Sequence, residues 1–290
     1  MSSACANGID IGFATLSYVQ IVVLGLVQGI TELLPISSTA HMRIVPALLG
    51  WTDPGSAFSA VMQLAALAAV LSYFRRDVSA LLRGTLLALR ERNGLSPELR
   101  LSTGIVLATL PIGLAGLLLA SRLNACGSPF RSLSVIGWAC IAMALLLAIS
   151  EWTCSHSRRI SDLRLRDALL VGLAQVGALI PGVSRSGSTL TAALFLNLRR
   201  EEAARFSFLL GLPAIALAGL KEAWVLLHAG LTPDAWLHLA VGLGVGSVSA
   251  FLAIWGLMKF LETFSTWFFV AYRAVLGLGL LLAVAAGILA

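Results

Sequence analysis

Long apolar runs alternate with short polar interruptions along this chain, and the run lengths carry the first prediction. AFSAVMQLAALAAVLSYF (57–74) and GIVLATLPIGLAGLLLA (104–120) fall in the roughly 17–25 residue range that lets an α-helix cross a hydrocarbon core of about 30 Å. Six segments have this character: about 57–74, 104–120, 133–150, 206–228, 236–258 and 267–290. The two-residue alternation of a membrane β-barrel is missing. Two more apolar stretches, about 15–50 and 167–198, are broken at their centres by LLPISSTAH and LIPGVSRSGST. Pro and small polar residues at each break leave two short apolar arms, which suit a hairpin that enters the membrane and returns. The pattern predicts an all-α polytopic membrane protein, a single integral domain over 1–290, with six transmembrane helices and two re-entrant helical hairpins.

Charge sharpens this picture. Of the 290 residues 58% are hydrophobic and 12% charged, about half the charged share of a soluble domain. The net charge of +6 comes from Arg in short polar segments: Arg75, Arg76, Arg83, Arg90, Arg92 and Arg100 in 75–100, Arg158, Arg159, Arg164 and Arg166 in 151–167, and Arg199, Arg200 and Arg205 in 199–205. The positive-inside rule assigns all three to the cytoplasm and accounts for the basic balance without nucleic acid. The N-terminus, with only Asp10, and the 229–235 loop, with only Asp234, are then outside. Every segment alternates correctly if both broken stretches are hairpins; a full crossing by either would put the Arg-rich segments on opposite sides. Cys5, Cys126, Cys140 and Cys154 show no ligand spacing and read as unrelated reduced cysteines. MSSACANGID lacks the basic start of a cleaved signal peptide.

The two broken stretches also resemble each other. GLVQGITELLPISSTAH (25–41) matches GLAQVGALIPGVSRSGS (172–188) with a one-residue slip before the Pro, and AFSAVMQLAALAAVL (57–71) matches RFSFLLGLPAIALAG (205–219). Each half, about 15–150 and about 167–290, is a hairpin followed by three spans. An odd number of spans inverts the second half, so the two tips are expected to meet near the midplane.

Polar chemistry concentrates at those tips. Gln28 and Glu32, four residues apart, share a helix face. Pro35 stops that helix; Ser37, Ser38 and Thr39 open the next, with His41 on its first turn. A helix N-terminus offers unpaired N–H groups and a positive dipole end to an anion. The second tip adds Gly182, Gly187, Ser184, Ser186, Ser188, Thr189 and Arg185, whose guanidinium can grip phosphate oxygens through two parallel hydrogen bonds. Together these groups suit phosphoryl transfer, where positioning and charge neutralisation dominate. Glu32 with Gln28 can hold a hard divalent cation, Mg²⁺ first and Ca²⁺ second. Ser38 is the candidate nucleophile and His41 the nearest base. Ser37, Thr39, Ser184, Ser186 and Thr189 are candidate phosphate-binding hydroxyls.

Plainer roles stand beside these. Ser37 can simply hydrogen-bond backbone, Thr31 reads as structural, and His41 can be a satisfied packing residue. Glu32 and Arg185 are ionisable at membrane depth, where such groups are costly and usually functional; their structural alternative is an ion pair joining the halves. Arg205, Glu201 and Glu202 read as a cytoplasmic surface. Arg273, inside the last apolar run, fits snorkelling or function equally.

QGITELLPISSTAH and PGVSRSGST resemble the two signature regions of the undecaprenyl-diphosphate phosphatase family of the bacitracin-resistance type. Those are a Glu/Gln-x-x-x-Glu pair running into P-x-SST-x-H, and P-G-x-S-R-S-x-x-T. With the repeat, the resemblance extends over nearly the whole chain. It implies hydrolysis of undecaprenyl diphosphate to the monophosphate carrier lipid at the outer face of the bacterial inner membrane, with the site opening toward the periplasm. It places the acidic pair on Gln28 and Glu32, the serine on Ser38, the histidine on His41 and the phosphate-gripping arginine on Arg185. Gln28 stands where an acid is often found, and Ala40 where Gly is common. The competing class is an inverted-repeat transporter or flippase for polyprenyl phosphate, whose midplane anion site would look alike; Ser38 with His41 exceeds what binding alone needs. The nucleophile, Ser38 or water, stays open, as do the metal, lipid chain length and any homodimer.

Overall fold

Pro35 and Pro181 each stop a helix in the middle of an apolar stretch, and the architecture follows from those two stops. The computed structural model describes residues 5–6, 9–123, 130 and 132–289. Part of the N-terminal stretch, residues 1–4 and 7–8, lies outside the described residues, as does Cys126. Cys140 and Cys154 are free thiols.

The first stretch forms α1, Tyr18–Leu33, and α2, Ser38–Leu49. Ser17 opens α1 with a capping box: its Oγ accepts from Gln20 N (3.4 Å) and Gln20 Oε1 accepts from Ser17 N (2.7 Å). Leu34, before Pro35, is extended, since proline disfavours helical backbone in its predecessor. Gly50, at φ 65°, closes α2. The second stretch forms α8, Leu165–Val176, and α9, Arg185–Phe195. At 1.5 Å per residue these arms run about 16–24 Å, short of a roughly 30 Å core. α1 folds back on α2 and α8 on α9, as a re-entrant hairpin requires.

Six spans are long and apolar enough to cross: Ser56–Tyr73, Pro97–Leu119, Leu133–Thr153, Arg200–Leu227, Pro233–Thr263 and Trp267–Ala285. The first is two helices, α3 (Ser56–Val61) and α4 (Gln63–Tyr73). The others are α6 (Pro97–Leu123), α7 (Leu133–Thr153), α10 (Arg200–Leu227), α11 (Pro233–Thr263) and α12 (Trp267–Ala285). The protein is thus a six-span all-α membrane protein. Large side chains such as Val19, Leu117, Trp138, Leu217 and Val275 lie on its outside, a surface that only lipid satisfies.

The helices differ from the sequence reading in two respects. Residues 75–100 are not a plain loop: Arg75–Arg90 forms α5. Leu, Ala and Arg are strong helix formers, and the arginines there are interleaved with exposed Leu82, Leu86 and Leu87. Spans α6 and α10 also start earlier than hydropathy alone indicates. Ser96 Oγ accepts from Leu99 N (3.4 Å) at the start of α6, and Glu201 and Glu202 lie in the first turn of α10, where carboxylates favour the helix dipole.

The packing repeats itself when the halves are exchanged. α1 lies on α11 and α8 on α6, so each hairpin's first arm meets the second span of the other half; α4 meets α10, and α7 meets α12. Glycine permits both close approaches. A Cβ on Gly29 would enter Gly246 O and Ser249 of α11, and one on Gly172 would enter the Ala108 backbone of α6. Small residues let membrane helices approach this closely, so that dispersion and backbone contacts hold them together.

Candidate active site

The two tips turn on the same unusual residue. Ser37 and Ser184 hold φ at 73° and 72°, a region that costs a non-glycine residue about 1–3 kcal/mol and persists only where the surroundings enforce it. Each is the N-cap of its helix: Ser37 Oγ accepts from Ala40 N (3.4 Å) and Ser184 Oγ from Gly187 N (3.1 Å). Ser38 and Arg185 are therefore the first residues of α2 and α9.

Glu32 is the centre of the arrangement. Its Oε2 accepts from Ser38 Oγ (2.5 Å) and from Gln28 Nε2 (3.0 Å), and its Oε1 from Arg185 Nη2 (3.5 Å). The Gln28 and Glu32 bonds follow from their four-residue spacing on α1; the Ser38 bond follows from the turn at Pro35. Gln28 and Glu32 are buried, and the Arg185 side chain is 11% exposed. The ion pair between halves, one alternative from the sequence, is thus present. Its charges offset each other's desolvation. Two atoms around it have no partner among the described residues: Gln28 Oε1 and Arg185 Nη1. The first is an acceptor suited to a cation, the second a donor suited to an anion. Arg185 packs against α10 where position 211 is glycine; a Cβ there would meet Nη1 and displace the guanidinium.

Ser38 and His41 are not paired. The serine proton points at Glu32, while His41 faces elsewhere: Nδ1 lies 2.7 Å from Ser37 O and Nε2 lies 2.6 Å from the Tyr272 hydroxyl. Along a helix, residues three apart share a face, but the cap at Ser37 draws the imidazole back over its own turn.

The candidate phosphate-binding hydroxyls divide. Thr39 is exposed beside Ser38. Ser37 and Ser184 are caps. Ser186 Oγ donates across the tips to Leu34 O (2.9 Å) and Glu32 O (3.2 Å). Thr189 Oγ1 donates to Arg185 O (2.8 Å) and lies 2.5 Å from Ser207 Oγ. Ser188 Oγ donates to Arg185 O (3.0 Å). These side chains hold the tips in shape. Thr31 Oγ1 donates to Val27 O (2.7 Å), as expected of a structural threonine. Arg205 pairs with Asp77 of α5, and Glu202 Oε2 accepts from Ile160 N (2.8 Å), both far along the chain from the tips.

Arg273 does not snorkel. It is 1% exposed and spends its donors on backbone: Nη1 to Pro35 O (3.0 Å), Nη2 to Gly182 O (2.7 Å) and Val183 O (3.0 Å), and Nε to Cys140 O (3.5 Å). One guanidinium thereby joins both tips to α7. An arginine inside an apolar run was a signal in the sequence. Its neighbour Tyr272 and the space at Gly211 gave none, because each matters only through a contact more than 25 residues away in sequence.

The donor set suits a divalent cation of the hard type. Gln28 Oε1, the Glu32 carboxylate and Ser38 Oγ are all oxygens, and Gln28 Oε1 is unsatisfied. Among the described residues no group of three or more His, Cys, Asp or Glu gathers into a metal cluster. One carboxylate with neutral oxygens is a set that Mg²⁺ can use, since it commonly takes one or two carboxylates together with substrate phosphates.

A family model described as bacitracin resistance protein BacA matches residues 21–279. A relative from Mesorhizobium japonicum, undecaprenyl-diphosphatase 2, is 67% identical over 263 residues, covering 91% of this chain and all of its own length. An undecaprenyl-diphosphatase from Gloeobacter violaceus is 54% identical over 270 residues, 93% of each chain, and one from Trichormus variabilis is 49% identical over 288 residues, 99% of this chain and 90% of its own.

Proposed function

The chain belongs to the bacitracin resistance protein BacA family, and on that premise we propose how its two tips work as an undecaprenyl-diphosphate phosphatase. The enzyme hydrolyses undecaprenyl diphosphate to undecaprenyl phosphate and inorganic phosphate. This recycles the carrier lipid for cell-wall synthesis and gives bacitracin resistance. One observation supports the assignment of roles above all others: Glu32 stands between the Ser38 hydroxyl of one tip and the Arg185 guanidinium of the other.

In this reading the terminal phosphate enters beside Arg185, whose free Nη1 donates to it. Charge neutralisation there is the main contribution to lowering the barrier. Ser38 Oγ attacks the terminal phosphorus as its proton passes to Glu32. The bond from that phosphorus to the bridging oxygen breaks, and the lipid monophosphate leaves. Water then attacks the phosphoserine phosphorus, its proton passing to His41 Nε2 as the Tyr272 hydroxyl gives way; the bond from phosphorus to Ser38 Oγ breaks, Glu32 returns its proton to that oxygen, and phosphate departs. Gln28 and Glu32 would hold the divalent cation, which when bound adds positive charge beside the phosphate. Thr39, exposed next to Ser38, is the hydroxyl free to reach substrate oxygens. The site opens toward the periplasm of the inner membrane in this reading, because the Arg-rich segments define the cytoplasmic side.

Phosphate release from undecaprenyl diphosphate by purified protein in detergent tests the assignment. Wild type is expected to turn over and Glu32→Gln to be silent. A wild type that binds polyprenyl phosphate and releases no phosphate would instead favour the transporter class. For orientation, a single cysteine at position 90 in a Cys-free background is expected to resist an impermeant thiol reagent until cells are permeabilised. Labelling of intact cells would overturn it.

A further inference from the structure

Helix α5 starts where a span ends. α4 stops at Tyr73, Phe74 is buried, and α5 begins at Arg75, so the helix sets out from the membrane boundary. Its inner face is occupied by the protein. Val78 and Leu81 pack on the core, and Asp77 pairs with Arg205 near the start of α10. Thr85 Oγ1 donates to Glu98 O of α6 (3.3 Å) and lies 2.7 Å from Ser102 Oγ. α5 therefore crosses the starts of α10 and α6 and stays at the level where those spans begin.

The outer face is sorted into two rows. Leu82, Leu86 and Leu89 follow the four-then-three spacing of one helical stripe, and they are 60%, 66% and 59% exposed. Arg76, Arg83 and Arg90 recur every seven residues, close to two turns, and are exposed as well. At about 100° per residue the arginine row is centred roughly a quarter-turn from the leucine row. Asp77, the acid of this helix, lies on the opposite face with Arg205, so no carboxylate of α5 stands beside the arginines. Water suits one row and disfavours the other. An acidic protein surface would meet the arginines and leave the leucines without a partner. A membrane interface offers an acyl boundary and phosphates side by side, the setting of a helix that lies in the interface plane.

We propose that α5 is a lipid-binding interfacial helix, whose leucine row sits in the acyl boundary while Arg76, Arg83 and Arg90 bind the phosphates of anionic phospholipids. The ligand is the bilayer's own phospholipid, taken at the ends of α4, α6 and α10 and not at the two tips. A guanidinium grips two phosphate oxygens at once. A lipid with net negative charge is preferred over a zwitterionic one, whose own cation competes for the phosphate. The site is independent of the roles given to Glu32, Ser38 and His41, and of the leaflet that α5 faces.

The test uses the purified full-length protein. Palmitoyl-oleoyl phosphatidylglycerol or the matching phosphatidylcholine is titrated into it in neutral detergent, and thermal unfolding is followed. Phosphatidylglycerol should raise the melting midpoint and phosphatidylcholine should not. Arg76→Gln/Arg83→Gln/Arg90→Gln should melt like wild type without lipid and need about 100-fold more phosphatidylglycerol for the same rise, at about fivefold per arginine. Arg159→Gln/Arg164→Gln/Arg166→Gln removes the same charge from another exposed segment and should respond like wild type. The wild-type response should weaken as salt is raised, because exposed charges are screened; this needs no variant. The leucine row is read in phosphatidylglycerol vesicles by nitroxides on single cysteines at 82, 86 and 89, which should meet oxygen more than a water-soluble nickel complex. An equal rise with both lipids, a response untouched by salt, an unshifted α5 variant or an equally shifted control would each overturn the anionic-lipid role. Nickel access at position 86 would show a solvated face, and exclusion of both reagents a face covered by protein; either result defeats the inference.

Discussion

In the first tip Ser37 turns the chain at φ 73° and caps α2; in the second Ser184 does the same at φ 72° and caps α9. Counting nine residues back from each cap reaches a buried glutamine, Gln28 or Gln175. Counting five back reaches Glu32 in one tip and Leu179 in the other; one forward reaches Ser38 or Arg185, and four forward His41 or Ser188. The two amides show the consequence. Gln28 Nε2 donates to Glu32, whereas both polar atoms of Gln175, facing no acid, lack a partner among the described residues. One backbone design was thus filled in two ways. The first tip took the acid and the hydroxyl, and the second took the cation. Equivalent positions, Ser38 and Arg185, both end at Glu32. The difference gives the site a direction, with electron-pair donors on one side and a positive charge on the other.

The largest expected effect tests that division at Ser38. Ser38→Ala should lose at least about 10⁴-fold in turnover, the scale of removing a nucleophile. Rapid quench with substrate labelled on the terminal phosphate should show label on wild-type protein and none on the variant. Substantial turnover by Ser38→Ala would make water the nucleophile and leave Ser38 an orienting group. Arg185→Lys comes next. It keeps the charge and loses the planar grip, so it should cost roughly 2–4 kcal/mol of transition-state stabilisation, about 30- to 1000-fold in kcat/KM. Near-wild-type hydrolysis would reduce Arg185 to a structural partner of Glu32. Gly211→Ala pushes on the same guanidinium from α10 and should cost about 100-fold, the scale of a 1 Å misplacement, while expression and thermal stability stay close to wild type. An effect confined to stability would show that Arg185 adapts.

Smaller effects test the likeness of the tips. Gln28→Glu restores a second acid and should retain hydrolysis within a few-fold while lowering the Mg²⁺ concentration needed. Full wild-type activity in excess EDTA would remove the cation from the scheme. Ser184→Ala should cost about 1 kcal/mol as a lost cap, read as a melting temperature lower by roughly 2–4 °C. Ser184→Gly should be close to neutral, since glycine accepts the positive φ.

Much of this was legible in the sequence, for identifiable reasons. Spans announce themselves by apolar length, and Pro35 and Pro181 broke two runs visibly. Gln28, Glu32, Ser38 and Arg185 lie within a few residues of those breaks, so local spacing brought out all four. What was hidden depended on long-range contact or on competition. The cap at Ser37 outweighed the Ser38–His41 spacing, and His41 found Tyr272, 231 residues away. The helix over Arg75–Arg90 was obscured because its charge spoke louder than its periodicity.

Arg273 carries a further consequence. A turn within an apolar stretch leaves carbonyl oxygens that in a soluble protein would be met by water. Here one planar side chain meets three of them at distances from 2.7 to 3.0 Å, standing in for hydration that cannot dissolve away or exchange. The tips can therefore be dry and still hydrogen-bonded. Where bulk solvent would fluctuate around a loop, the protein has frozen one piece of solvent into its own covalent chain.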